Sequence, residues 1–125
     1  MSDADTPWPA EIRLSADKAH VTLAFDDGKS SAFSAEFLRV HSPSAEVQGH
    51  SPEQRQTVPG KRDVTITALE PVGNYAVRIL FADGHDTGIF SWSYFDTLDR
   101  DRDTLWARYL DELSSFGLSR DSSSH

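Results

Sequence analysis

The chain has 125 residues, the length of one ordinary domain with a single core. Twelve Lys and Arg stand against 20 Asp and Glu, a formal charge of −8, which repels phosphate backbones and anionic lipid and so argues against nucleic acid and membrane surfaces as partners. No cysteine is present, which removes disulfides, thiolate nucleophiles and thiolate metal ligands, and no leader-like or membrane-length apolar run occurs, so a cytoplasmic protein is expected.

Residues 1–9 are polar, carry Pro7 and Pro9, and read as a flexible arm with Trp8 as its apolar anchor. The domain itself is expected over residues 10–118. Ile12 and Leu14 alternate, Ala16-Asp17-Lys18 turns the chain into a strand through Val21, Leu23 and Phe25, and Asp27-Gly28 turns it back along residues 29–33. Ser34 is placed to cap a short helix bearing Phe37, Leu38 and Val40, which ends near Ser42-Pro43 because the residue before a proline disfavours helix. Residues 41–63 are rich in Ser, Pro, Gly and charge without a sustained period, and read as a long surface loop holding one helical turn near 44–47. Val64, Ile66 and Ala68 form the next strand, and Pro71-Val72-Gly73-Asn74 its connection onward.

The most strongly specified stretch is 75–95. Tyr75, Val77, Ile79 and Phe81 alternate on one face, while Ala76, Leu80 and Ala82 keep the other from being polar, so a central strand covered on both sides is expected. Asp83-Gly84 makes a tight turn, Ile89, Phe90 and Trp92 resume the apolar pattern, and Ser91 or Ser93 caps a short helix through Tyr94, Phe95 and Leu98. Leu105, Trp106, Tyr109, Leu110 and Leu113 then recur at helical spacing, with Asp101 or Asp103 at the start and Gly117 as the C-terminal cap. The aromatic members of that stripe are expected to pack on the sheet, and residues 119–125 to form a disordered tail. The fold class that follows is α+β: a single small domain, mainly an antiparallel sheet of hairpins, with short helices and a C-terminal amphipathic helix packed on it.

An internal echo runs through this pattern. Val21, Leu23, Phe25, Asp27-Gly28, Phe33-Ser34 and Phe37-Leu38 are answered by Val77, Ile79, Phe81, Asp83-Gly84, Phe90-Ser91 and Tyr94-Phe95, with one extra residue after the second turn. Both copies read strand, turn, strand, short helix.

Chemistry is sparse. No phosphate-binding glycine loop, dinucleotide turn, His-x-Asp pair or Gly-x-Ser-x-Gly elbow occurs, so no catalytic residue is assigned. Asp96, Asp99, Asp101 and Asp103, interleaved with Arg100 and Arg102, read as a solvated linker. Among the five histidines His85 stands out, because it follows a tight turn and has Asp83 and Asp86 beside it, which suits a metal ligand or a proton-transfer group. His41 and His50 flank the long loop and are the residues that would join it in a metal site.

Leu38-Arg39 with the Ser-Pro segment after it, together with Asp83-Gly84-His85 and Gly88-Ile89-Phe90-Ser91-Trp92, resembles the DUF971 family, also called the γ-butyrobetaine hydroxylase-like N-terminal domain. The likeness spans nearly the whole chain and implies a small α+β domain with an antiparallel sheet. Members of that family occur alone in bacteria, ahead of the catalytic domain of γ-butyrobetaine and trimethyllysine dioxygenases, and at the end of some P-loop iron–sulfur cluster carriers. In the dioxygenase version, zinc is held by three cysteines after the Leu-Arg pair and by the histidine of the Asp-x-His turn. Carried onto this chain, the histidine is His85 and the cysteine places fall near Ser42, Ser44 and Val47. Hydroxyls and a valine do not replace thiolates, so zinc is not expected, and no cofactor is assigned. The oxygenase domain is absent, so hydroxylation is not implied.

The function expected is a non-enzymatic binding or accessory module, a monomer or weak oligomer, that meets a protein partner through Trp8, Arg39, the 41–63 loop and Trp92. The alternative is a metal-handling protein that assists iron or iron–sulfur assembly or an oxygenase, with iron at His85, His41 and His50.

Overall fold

Chain order in the computed structural model, which describes residues 9–49 and 52–121, is three strands and a helix, twice over, followed by a longer helix. Strands β1 (Glu11–Leu14), β2 (His20–Ala24) and β3 (Ser30–Ser34) form one antiparallel meander, which runs into α1 (Ala35–Val40). After α2 (Ala45–Gln48) and a 3-10 turn at Pro52–Gln54, strands β4 (Ile66–Val72), β5 (Ala76–Phe81) and β6 (Gly88–Ser91) form the second meander and run into α3 (Trp92–Arg100), with α4 (Arg102–Ser115) last. The class is α+β, and the single sheet expected is divided into two of three strands each. Trp8, His50 and the end of the expected tail lie outside the described residues. No helix among the described residues is long and apolar enough to cross a membrane.

The period-two rows fall where the alternation puts them. Val21 and Leu23 on β2, and Val77, Ile79 and Phe81 on β5, are all buried, and the ladders set Phe33 opposite Val21 and Phe90 opposite Val77. Phe95 of α3 lies between the two sheets, its ring centroid 5.5 Å from Phe33 and 5.6 Å from Phe90. One core therefore joins both halves, completed by Phe37 and Leu38 of α1 and Leu98 of α3. Each short helix starts on a serine: Ser34 Oγ accepts from the Phe37 N–H and Ser91 Oγ from the Tyr94 N–H, which satisfies a donor that the first turn leaves unpaired.

The internal echo is matched in structure down to single bonds. In the first turn the Gly28 N–H meets the Phe25 carbonyl at 3.1 Å and the Lys29 N–H meets Asp27 Oδ1 at 3.0 Å. In the second the Gly84 N–H meets the Phe81 carbonyl at 3.1 Å and the His85 N–H meets Asp83 Oδ1 at 3.0 Å. Gly28 and Gly84 both take φ near +90°, at 87° and 95°, a region that costs glycine nothing. At the helix starts the Ala35 N–H reaches the Ala19 carbonyl and the Trp92 N–H the Tyr75 carbonyl. The copies part company after the turn. The first ladder runs to the pair Ala24/Ser30, whereas the second stops at Ile79/Gly88, so the extra residue lets 86–87 leave the ladder while the His85 carbonyl still accepts the Phe81 N–H, as the Lys29 carbonyl accepts the Phe25 N–H.

Several expectations are corrected. Tyr75 belongs to the turn and is 56% exposed, and the outer face of β5, where Ala76 is buried, carries half-buried Arg78, bonded to Glu70, beside exposed Ile89, so among the described residues this face is only partly covered. Strand β4 continues through Pro71 and Val72, which an edge strand permits because a missing N–H there breaks no ladder bond. On α4, Tyr109 and Leu113 pack with Val40 of α1 and Val58 of the loop rather than on a sheet, and Leu110 faces solvent. Gly117 does end that helix, at φ +66°, with the Gly117 N–H on the Ser114 carbonyl and the Leu118 N–H on the Leu113 carbonyl, the paired bonds of a Schellman cap. The contacts of the domain run past residue 118: the Gly60 N–H bonds Ser119 and the Arg62 N–H bonds Arg120, while the Arg120 guanidinium bonds both oxygens of Glu36.

Replacing buried Phe90 by alanine should cost about 3–5 kcal/mol of stability, whereas Ile89→Ala, one residue away on the open face, should stay within about 0.5 kcal/mol. Urea denaturation of the two variants compares them directly.

Candidate functional site

The hairpin β5–β6 brings His85 against the segment that follows α1. Pro43 ends the helical path, so Ser42, which is fully buried, turns its hydroxyl onto His85 Nε2 at 2.9 Å. Ser44 caps α2 by accepting from the Glu46 N–H, and this sets Glu46 Oε2 3.2 Å from His85 Nδ1. The remaining bonds close the network: the Ser44 N–H donates to Ser42 Oγ, the Thr87 hydroxyl donates to Glu46 Oε1, and the Ser44 and Thr87 hydroxyls lie 2.7 Å apart. Gln48 Nε2 donates to the Ser42 carbonyl at 2.8 Å.

One assignment of protons satisfies every member. Neutral His85 with the proton on Nδ1 donates to the Glu46 carboxylate, and Nε2 accepts the Ser42 hydroxyl. Burial, with the Arg39 guanidinium nearby, pushes the His85 imidazole below the ordinary histidine value, which favours this neutral form. Close approach from β6 seals the site. A Cβ on Gly88 would stand 2.5 Å from Ser42 Oγ, so only glycine lets the strand come this near.

Asp83 ties the turn down from three sides. Arg39 Nε reaches its carboxylate at 2.8 Å, Lys61 Nζ at 2.6 Å, and the His85 N–H at 3.0 Å. Burial by itself would raise this carboxyl, but those hydrogen bonds override it and hold the pKa at about 2. Arg39 is thereby turned inward, 12% exposed, rather than presented to a partner.

Serine, imidazole and carboxylate stand in the order of a hydrolytic triad, but Ser42 is fully buried and His85 only 5% exposed among the described residues. The ring partner of His85 is Glu46; Asp83 bonds its backbone instead, and Asp86 offers its carbonyl to Arg78. His41 goes elsewhere. Its Nδ1–H bonds the Phe37 carbonyl, its ring packs on Phe37 and Tyr109, and burial lowers its pKa. His50 lies outside the described residues, and among those described no group of three or more His, Cys, Asp and Glu is placed to hold a metal ion. At the positions where the family resemblance puts zinc-binding cysteines stand Ser42, Ser44 and buried Val47, and both nitrogens of His85 are engaged, so this donor set does not fit zinc.

The sequence missed Glu46, Thr87, Gln48 and Lys61. A faint signal existed in the alternation of Ser42, Ser44 and Glu46, but their partner lies about forty residues away and no local pattern points to it.

A second feature lies on the other half of the molecule, between the β2–β3 hairpin and α3. It is an open cleft of about 490 Å³ whose apolar lining includes Leu23, Phe25, Phe33, Trp92 and Phe95, with Asp27, Lys29, Asp96 and Asp99 among the polar residues at its edges. Trp92 is held there by its indole N–H, which donates to the Asn74 carbonyl at 3.0 Å.

Comparison with known proteins follows this geometry. The family model described as γ-butyrobetaine hydroxylase-like, N-terminal, matches residues 12–96. Two proteins solved by NMR in solution are similar to this chain: one is 45% identical over 96% of this chain and 94% of its own, with a TM-score of 0.79, and the other 40% identical over 98% and 91%, with a TM-score of 0.81. A protein of unknown function of the DUF971 family from Acidithiobacillus ferrooxidans ATCC 23270, solved by crystallography, is 40% identical over 73% of this chain and 91% of its own, with a TM-score of 0.60. None of the curated proteins matches.

Two outcomes test the site. Gly88→Ala should cost about 1–3 kcal/mol, and less when Ser42 is already alanine, as read by urea denaturation of the four members of the cycle. The pH dependence has a definite sign. His41 and His85 are depressed in the folded protein, so the unfolded chain takes up protons first; stability is full above about pH 6.5 and falls as the pH drops toward the lowered folded values. Each histidine contributes a slope of at most about 1.4 kcal/mol per pH unit, and His85→Gln should remove one such share from the urea midpoints measured between pH 5 and 8.

Proposed function

This chain belongs to the γ-butyrobetaine hydroxylase-like N-terminal domain family, DUF971, and on that premise we propose that it is a non-enzymatic binding module that presents one face to a protein partner. The observation that carries the reading is the aromatic cleft at Trp92. Phe33 and Phe95 form part of the buried core, so the floor of the cleft is rigid, and Trp92 is fixed by its bond to Asn74. A preformed aromatic surface is ordered before binding and loses little entropy when a partner lands on it. The cluster at His85 supports the same reading from the other side, since its nucleophile is sealed and its donors are spent on one another.

A second reading, a metal-handling protein that assists iron or iron–sulfur assembly or an oxygenase, draws on His85 Nδ1 lying 3.2 Å from the Glu46 carboxylate. It requires Glu46 or Ser42 to leave the ring, so stoichiometric Fe²⁺ that shifts the His85 ring resonances would favour it over the first.

The binding reading is tested in the cells that make the protein by placing a photo-crosslinking benzoylphenylalanine at Lys29, on the edge of the cleft, or at Asp111, on the exposed face of α4. A discrete adduct with another protein is expected from position 29 and not from 111. No adduct at 29, or the same adducts from both positions, would overturn it.

A further inference from the structure

We propose that the cleft at Trp92 takes a short peptide segment of another protein that carries an apolar side chain flanked by Lys or Arg, an inference that rests on the binding-module reading and gives it a chemistry. The argument starts from the two like halves of the chain. In each half, the hairpin of one unit faces the helix of the other. Hairpin β5–β6 faces α1, with Phe81, Asp83 and His85 set against Arg39 and Ser42. Hairpin β2–β3 faces α3, and the residues at the corresponding places are Phe25, Asp27 and Lys29 against Asp96 and Asp99.

The same place is closed in one half and open in the other. After α1 the chain runs through residues 42–48 and lays Ser42, Ser44 and Glu46 against His85 and Thr87 of the hairpin, where Phe81 is 3% exposed. After α3 only Asp101 intervenes before α4 begins, no such segment exists, and Phe25 remains partly exposed in the cleft. What covers the first site is a stretch of extended chain with one helical turn, and its open counterpart has room for a segment of the same kind.

Charge then selects the occupant. In the closed site the turn carboxylate, Asp83, is matched by Arg39 from the helix and by Lys61. In the open site the helix offers Asp96 where the other offers Arg39, so three carboxylates face one ammonium, Lys29, which itself stands 4.0 Å from Asp27. Asp96 has Arg100 beside it on the helix surface, an exposed pair that exchanges partners at little cost, whereas Asp99 is paired with Arg102, which is itself held by the Ala32 carbonyl and lies over the Phe33 ring. A cationic segment supplies what Arg39 and Lys61 supply in the other half, and an apolar side chain covers the part of Phe25 and Trp92 that stays exposed in the cleft.

The test is selection of dodecapeptides from a random display library on the full chain, followed by titration of a selected synthetic peptide into ¹⁵N-labelled protein. The expected result is enrichment of peptides with an apolar residue and two or more Lys or Arg. Shifts should centre on Phe25, Ser31 and the Trp92 indole, and affinity should fall at least tenfold in Asp96→Lys, an exposed helix position that leaves the Asp27 turn bond intact. Peptides without an excess of Lys and Arg, indifference to the charge reversal, or no enrichment would overturn the proposal. So would the same shifts arising from protein concentration alone, since they would give the cleft to a second copy. Peptides that bind elsewhere would overturn it while leaving the binding-module reading in place, and that reading stands or falls separately on the adduct at position 29.

Discussion

An imidazole shut away from water must have both of its nitrogens partnered, because a buried polar atom left unpaired loses the free energy of its hydration. For His85 this requirement organises a large part of the molecule. It explains why the chain leaves α1 at Ser42, why Ser44 starts α2 in the register that aims Glu46 at Nδ1, and why β6 begins on a residue without a Cβ. The Asp83 carboxylate fixes the turn from which the ring projects, and draws Arg39 and Lys61 inward to do so. The arrangement has the parts of a catalytic triad in a buried setting, and among the described residues it lacks the donors of a metal site. What it provides is a clasp between the second hairpin and the segment after the first helix.

Two hairpin-and-helix units with the same order of elements and matching turn bonds thus differ in what surrounds them. One extra residue after the second turn frees 86–87 from the ladder, and the segment after α1 meets Thr87 and the His85 ring there. In the other unit the turn residues stay in the ladder, the helix runs almost directly into the next one, and an aromatic cleft stays open. The helices differ in the matching way, Arg39 in one and Asp96 in the other.

The regular parts of the fold were legible because they depend on near neighbours. The alternation of Val21, Leu23 and Phe25 and of Val77, Ile79 and Phe81 located β2 and β5, serines located the helix starts, and Gly117 located the end of α4. Exposure was harder to read. Tyr75 and Leu110 fit the apolar period but face solvent, since periodicity tells which residues share a face and not whether anything covers it. Residues 41–63 lack a sustained period and read as a surface loop with one helical turn, which is α2, yet His41, Ser42, Ser44 and Val47 at its start are buried. Polar residues reach such depth only through distant partners, and those pairings leave no mark on local sequence. The candidate site was therefore half visible: His85 stood out by its turn, while Glu46 and the open cleft at Trp92 came from the three-dimensional arrangement.

Arg120 shows where homology and folding part. Its guanidinium grips buried Glu36 with two nitrogens and lies 5.0 Å over the Trp106 ring, while Tyr109 and Leu113 of α4 seal the flank of α1. The family match ends at residue 96, before all of these. A fragment cut at that limit would leave a carboxylate inside the domain without its counter-ion and strip the cover from Phe37 and Val40. The stretch that the family model matches is shorter than the stretch that folds together, and a boundary drawn for expression belongs beyond Arg120.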